Sequence, residues 1–105
     1  MNNYGKSIPF MFDGNISNVL LLRPDSGKRL VVKGMTISGN GDAGVVKITR
    51  SSDNACILPY YFDNKTGGKT SANLNLILKS NEAVLITTKN RENFETFVSI
   101  SYLEI

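Results

Sequence analysis

No histidine and no tryptophan occur among the 105 residues, and there is a single cysteine, Cys56. Without histidine the chain has no imidazole base, no Ser-His-Asp arrangement and none of the commonest zinc ligand. One cysteine can close no internal disulfide and hold no thiolate metal cluster, and its place in the apolar run ACILPYYF leads us to expect a small, buried, inert thiol. No apolar run exceeds four residues, as at 19–22, far short of the ~20 that a membrane-spanning helix needs. The opening MNNYGKSIPF has neither a basic start followed by an apolar stretch nor a small-residue cleavage site, so no secretion signal is expected. The chain reads as made and kept in a reducing compartment, where the sequons at Asn15 and Asn64 carry no weight.

Charge is equally unspecific. Twelve Lys and Arg against nine acids give a net charge of +3, and the basic residues are scattered from Lys6 to Arg91 without a stripe. Nucleic acid is therefore not an expected partner, although Tyr60, Tyr61 and Phe62 are the residues a stacking platform would use. The acids fall about one per turn, at Asp13, Asp25, Asp42, Asp53 and Asp63, which suits turn capping better than a catalytic carboxylate pair. Asp42 or Asp53 with nearby Asn side chains could supply some oxygens to Ca²⁺, but solvated turn residues explain them as well. Neither enzyme activity nor a metal or other cofactor is expected.

What the sequence does have is alternation. Leu74, Leu76 and Leu78 alternate with Asn73, Asn75 and Lys79, while Val98, Ile100 and Tyr102 alternate with Ser99 and Ser101. Strands are expected at 8–12, 16–22, 28–38, 45–50, 55–62, 74–79, 84–88 and 97–103, separated by turn chemistry at intervals of about ten residues. The fold class that follows is all-β: one antiparallel β-sandwich, jelly-roll-like, of about eight strands, spanning 1–105 with 1–7 as an N-terminal arm. In the third strand Leu30 and Val32 share one parity and Met35 and Ile37 the other, so a bulge is expected at Gly34, with burial of the strand on both sides as the alternative. Pro59 cannot donate to a ladder and marks the fifth strand as an edge.

Gly39, Gly41 and Gly44 spell G-x-G-x-x-G, a dinucleotide-loop pattern that requires a helix after it. The residues that follow, VVKITRSSDN, are β-branched and short, so the glycines are read as a hairpin loop, and Asp63 has no ribose to meet. Carbohydrate binding by the PYYF aromatics is an alternative that the lack of tryptophan weakens. Two features suggest binding to another protein. Ile77, Phe97 and Leu103 fall on the parity opposite to the core and could form one outer apolar patch. The loop 63–73, DNKTGGKTSAN, is the longest, and its Lys65 and Lys69 could reach an acidic surface.

Three stretches, RLVVKGMTISGNGDAGVVKI, NLNLILKSNEAVLITTKN and the closing FVSISYLEI with its Val98, Ile100 and Tyr102, resemble small single-domain β-sandwich virion proteins of tailed bacteriophages. The resemblance covers residues 29–105 and is nearest to auxiliary capsid, or head decoration, proteins such as those of crAss-like phages. It implies many copies bound to a lattice of major capsid protein, location in the virion after synthesis in the host cytoplasm, and no cofactor, membrane or nucleic-acid partner. Tail and head-tail connector subunits share the same kind of sandwich and are the alternative it leaves open.

Overall fold

Alternating apolar and polar residues, with β-branched side chains at most inward positions, give extended chain almost throughout. The computed structural model describes residues 6–13, 15–39, 44–62, 68–89 and 95–105, with backbone alone for 6–9, 13, 59–62 and 68–70. The strands are β1 (Lys6–Asp13), β2 (Ile16–Leu22), β3 (Leu30–Gly39), β4 (Gly44–Arg50), β5 (Cys56–Phe62), β6 (Gly68–Ile77), β7 (Val84–Lys89) and β8 (Glu95–Glu104). No helix occurs among the described residues. Of the stretch 1–7 read as an arm, Lys6 and Ser7 belong to β1, and the rest lies outside the described residues.

All pairings are antiparallel, and they form two four-stranded sheets ordered β1-β8-β3-β6 and β2-β7-β4-β5. The nested partners β1·β8, β2·β7, β3·β6 and β4·β5 are what a long ribbon makes when it folds across itself, a jelly-roll-like order. Only β4 and β5 are sequential neighbours in one sheet; every other connection crosses between sheets. The glycine pattern is therefore not a hairpin, as the sequence suggested. Gly39 ends β3 in one sheet and Gly44 begins β4 in the other. A strand, not a helix, follows, so the dinucleotide context is missing; Asn40, Gly41, Asp42 and Asp63 lie outside the described residues.

A second difference is in β6, which begins at Gly68, six residues before the expected start at Leu74. Most of the supposed loop 63–73 is strand, with Lys69 opposite Ser38, Thr70 opposite Ile37 and Ser71 opposite Thr36. Small polar residues resemble loop chemistry in sequence, yet an edge strand with a solvated face accommodates them.

Between the sheets lie Leu30, Val32, Met35, Ile37, Val46, Ile48, Leu78, Val84, Ile86, Val98 and Ile100, with Phe10, Phe12, Leu74 and Leu76 packed against them. The Phe10 and Phe12 rings stack with centroids 6.3 Å apart. The expected bulge is present: the registers of β3 with both β6 and β8 slip between Val32 and Gly34. Lys33 is turned to solvent, and Leu30, Val32, Met35 and Ile37 all face inward despite their change of parity.

Each edge strand carries a residue that interrupts a regular ladder. Pro9 in β1 and Pro59 in β5 lack an N–H, and Asn18 in β2 and Asn75 in β6 have φ of 50° and 49°. Such edges resist addition of a foreign strand. Pro59 thus sits at an edge, as expected. Cys56 does not behave as expected: it is exposed. The β4–β5 register slips between Ile48 and Thr49, leaving Ile57 and Leu58 to pack on the core while Cys56 turns outward.

Deleting Lys33 would place Val32 and Met35 two residues apart, so plain alternation would keep Leu30, Val32, Met35 and Ile37 inward without a slip against β8. The deletion variant should therefore keep a cooperative thermal transition, and Lys33→Ala should stay within about 0.5 kcal/mol of the native chain. Inserting one alanine between Thr36 and Ile37 should instead turn Ile37 out of the core, which forfeits about 1.5–3 kcal/mol, a large part of a small domain's stability, and lower Tm. An insertion variant that melts like the native chain would contradict the parity requirement.

Candidate functional site

The outward positions of the β1-β8-β3-β6 sheet line up in four rows across the strands. Met11, Phe97, Ser38 and Lys69 form the first, Pro9, Ser99, Thr36 and Ser71 the second, and Ser7, Ser101, Gly34 and Asn73 the third. Leu103, Val31 and Ile77 form the last. The three off-parity apolar residues are thus not gathered into one patch. Phe97 is six residues along β8 from Leu103, roughly 20 Å in extended chain.

The two apolar ends differ in how much they already cover themselves. Val31 is only 8% exposed although it points away from the core, because Ile77 and Leu103 stand directly on either side of it. Leu103 is itself half-buried, while Ile77 remains 57% exposed. At the other end Met11 and Phe97 lie directly opposite each other, 56% and 40% exposed. Met11 was missed in the sequence because MFD at the end of a strand gives no parity signal of its own. Lys69 stands in that row by register, and Lys65 lies outside the described residues.

Between the ends runs a belt of hydroxyls around Gly34. Thr36 Oγ1 and Ser71 Oγ are 3.0 Å apart, and the shallow depression there has a volume of about 190 Å³. A Cβ at Gly34 would meet the Ala72 carbonyl oxygen at 3.2 Å, a tight contact that glycine avoids. The face therefore offers an exposed apolar pair, a polar middle and a self-covered apolar end.

The most densely bonded polar cluster lies at one end of the sandwich, and it is structural. Glu82 is buried between two loops, accepting from Lys79 N at 3.0 Å, from Ser52 N at 3.2 Å and from the Ser52 hydroxyl. Arg50 Nε lies 4.0 Å from it and forms a bidentate pair with Asp53 at 2.9 Å. Ser51 and Ala83 add a reciprocal pair, Ser51 N to Ala83 O at 2.9 Å and Ala83 N to Ser51 Oγ at 2.8 Å. With its oxygens occupied and water excluded, Glu82 cannot serve as an accessible base. Asp53, half exposed, is engaged by both Arg50 nitrogens and by Ala55 N at 3.0 Å. No group of three or more metal-binding side chains occurs among the described residues, nor does a helix long and apolar enough to cross a membrane. The backbone of Tyr60 pairs with Val46 and that of Tyr61 with Val45; their side chains, with that of Phe62, lie outside the described residues.

These carboxylates set an acid limit. Burial acts on Glu82 to raise its pKa, but hydrogen bonds from Ser52 and Lys79 outweigh it, and the net shift is downward. The Arg50 hydrogen bonds, then the Ala55 N–H, pull Asp53 down to about 2. Groups with depressed folded-state pKa values stabilise the fold above their unfolded values, about 4, and that contribution is lost as pH falls through the folded values. The native Tm should hold to about pH 4 and then fall. Glu82→Gln should lower Tm at pH 7 and flatten part of the acid decline. Identical native and variant pH profiles would remove Glu82 from that role.

No protein-family model matches the chain, and no curated protein matches it. Among solved structures, it is similar to a chain in the acidic stable capsid structure of Helicobacter pylori bacteriophage KHP30. The TM-score is 0.70, with 16% sequence identity, over 100% of this chain and 95% of that one. At that identity the likeness concerns the fold alone, and it extends across the whole sandwich.

Proposed function

We propose that this chain is a non-enzymatic structural protein of a phage particle, an auxiliary capsid subunit bound in many copies to a lattice of major capsid protein. The observation that carries the reading is the full-length likeness to a chain of a phage capsid structure. The sequence resemblance to virion sandwiches over residues 29–105 points the same way. Interrupted edges and an exposed apolar pair fit a subunit that meets its partners through a face.

In this reading Met11 and Phe97 are the docking pair, with Lys65 and Lys69 supplying charge toward an acidic partner and Ile77 and Leu103 a second contact. A lattice-bound subunit can use several weak contacts, because each contact after the first forms at high effective concentration. The isolated protein is then inert toward small molecules, and no catalysis or cofactor enters. Synthesis takes place in the host cytoplasm and the final location is the virion. Should the protein travel with detached tails instead, the same contacts describe a tail or head-tail connector subunit. A glycan-binding role would show itself on a glycan array.

The test is occupancy. Particles are assembled in hosts supplying either the native or the Phe97→Asp protein, purified on gradients, and the copies per major capsid subunit counted. A charge placed in a contact that must be dry costs several kcal/mol without a partner charge, so the variant should fall at least about tenfold in occupancy. Its Tm should stay near native, because Phe97 points away from the core. Native protein absent from washed particles would remove the virion reading, and variant protein at full occupancy would remove the proposed face.

A further inference from the structure

On the outer face of the β2-β7-β4-β5 sheet two lysines stand as neighbours with no acid between them. Lys47 lies directly opposite Thr87, and Lys89 is two residues further along β7, opposite Val45. Residues in that diagonal relation are about 7–8 Å apart, within a Debye length at physiological salt. Both lysines are exposed, and neither forms an ion pair among the described residues. Two like charges held so close repel unless an anion joins them.

The lysines flank a groove of about 250 Å³ that Ser17, Asn18, Thr49 and Thr87 also line, and no acidic residue lines it among the described residues. Part of its wall is fixed. Thr87 Oγ1 accepts the Asn18 N–H at 2.9 Å and donates to Asn18 Oδ1 at 3.3 Å. Thr49 is different. It is 7% exposed, and its Oγ1 is the one buried side-chain polar atom without a hydrogen-bond partner among the described residues. A hydroxyl in that state is costly, and proteins rarely leave one so without a reason. The groove thus holds two ammonium groups and a hydroxyl donor that lacks an acceptor. What would complete all three is an oxyanion.

We infer that this groove is a carboxylate-binding site that takes an Asp or Glu side chain from an acidic segment of a partner protein. A carboxylate fits better than a phosphate. Among the described residues no arginine fork and no helix N-terminus lines the groove, and these are the features that usually hold a phosphate. Two ammonium groups and one hydroxyl match the charge and acceptor capacity of a carboxylate. The inference does not depend on the virion reading, since it follows from the second sheet and concerns different residues.

The test is an NMR titration of the full chain at neutral pH and low ionic strength. The probe is a capped Gly-Glu-Asp-Glu-Gly peptide, with Gly-Gln-Asn-Gln-Gly and inorganic phosphate as separate arms. Saturable shifts are expected at the amides of Asn18, Lys47, Thr49, Thr87 and Lys89 with the acidic peptide and not with its amide counterpart. The double variant Lys47→Gln/Lys89→Gln should weaken binding about tenfold or more, the size of a lost charged hydrogen bond. Thr49→Val should weaken it several-fold without lowering Tm, which a merely structural hydroxyl would not do. Shifts spread evenly over Lys28, Lys33 and Lys79, or no saturation, would overturn the site. Phosphate binding in the groove more tightly than the peptide would overturn the carboxylate assignment. A Thr49→Val variant that binds like the native protein would overturn the role of the hydroxyl.

Discussion

The slip in β3 between Val32 and Gly34 is the constraint on which the rest of the structure depends. β3 is flanked on both sides, by β8 and β6, so its phase sets what the whole sheet presents to the core. Without the slip, either Leu30 and Val32 or Met35 and Ile37 would face solvent, because side chains alternate with period two and Val32 and Met35 are three residues apart. The slip lets one strand keep both pairs inside. It also fixes the outer rows: Val31 falls between Ile77 and Leu103, and Ser38 beside Phe97.

Two consequences follow for what the molecule can do. Interruption of all four edge strands by Pro9, Asn18, Pro59 and Asn75 discourages association through the ladder, so faces and loops are left as contact surfaces. At one end the buried Glu82 ties the loop after β4 to the loop after β6, which makes that end rigid and leaves its carboxylates committed to structure. A rigid sandwich with closed edges and differentiated faces is suited to being a part of something larger.

Much of the sandwich was legible in the sequence because alternation is a local property. Strand positions, the bulge at Gly34 and the edge character of Pro59 each follow from a few adjacent residues. Sheet switching was not legible: whether Gly39 and Gly44 bound a hairpin or a crossing depends on partners such as Thr96 and Phe62, distant in sequence. The start of β6 was hidden because Gly68, Thr70 and Ser71 resemble a loop until they are paired with β3. Cys56 was misread because the β4–β5 register slips beside it, with Ile57 as the extra residue of β5. Parity did identify Ile77 and Phe97 as outward, but it could not tell that they lie in different rows. The closeness of Lys47 and Lys89 needed the β4–β7 register, which no local pattern carries.

The most direct measurement is a cryo-EM reconstruction of the intact particle that carries this chain, at a resolution that separates strands. An auxiliary capsid subunit requires symmetry-related densities for the eight-stranded sandwich on the head, with the row containing Met11 and Phe97 turned toward the major capsid protein. A head lattice without that sandwich, or one in which this row faces bulk solvent, would contradict the proposal.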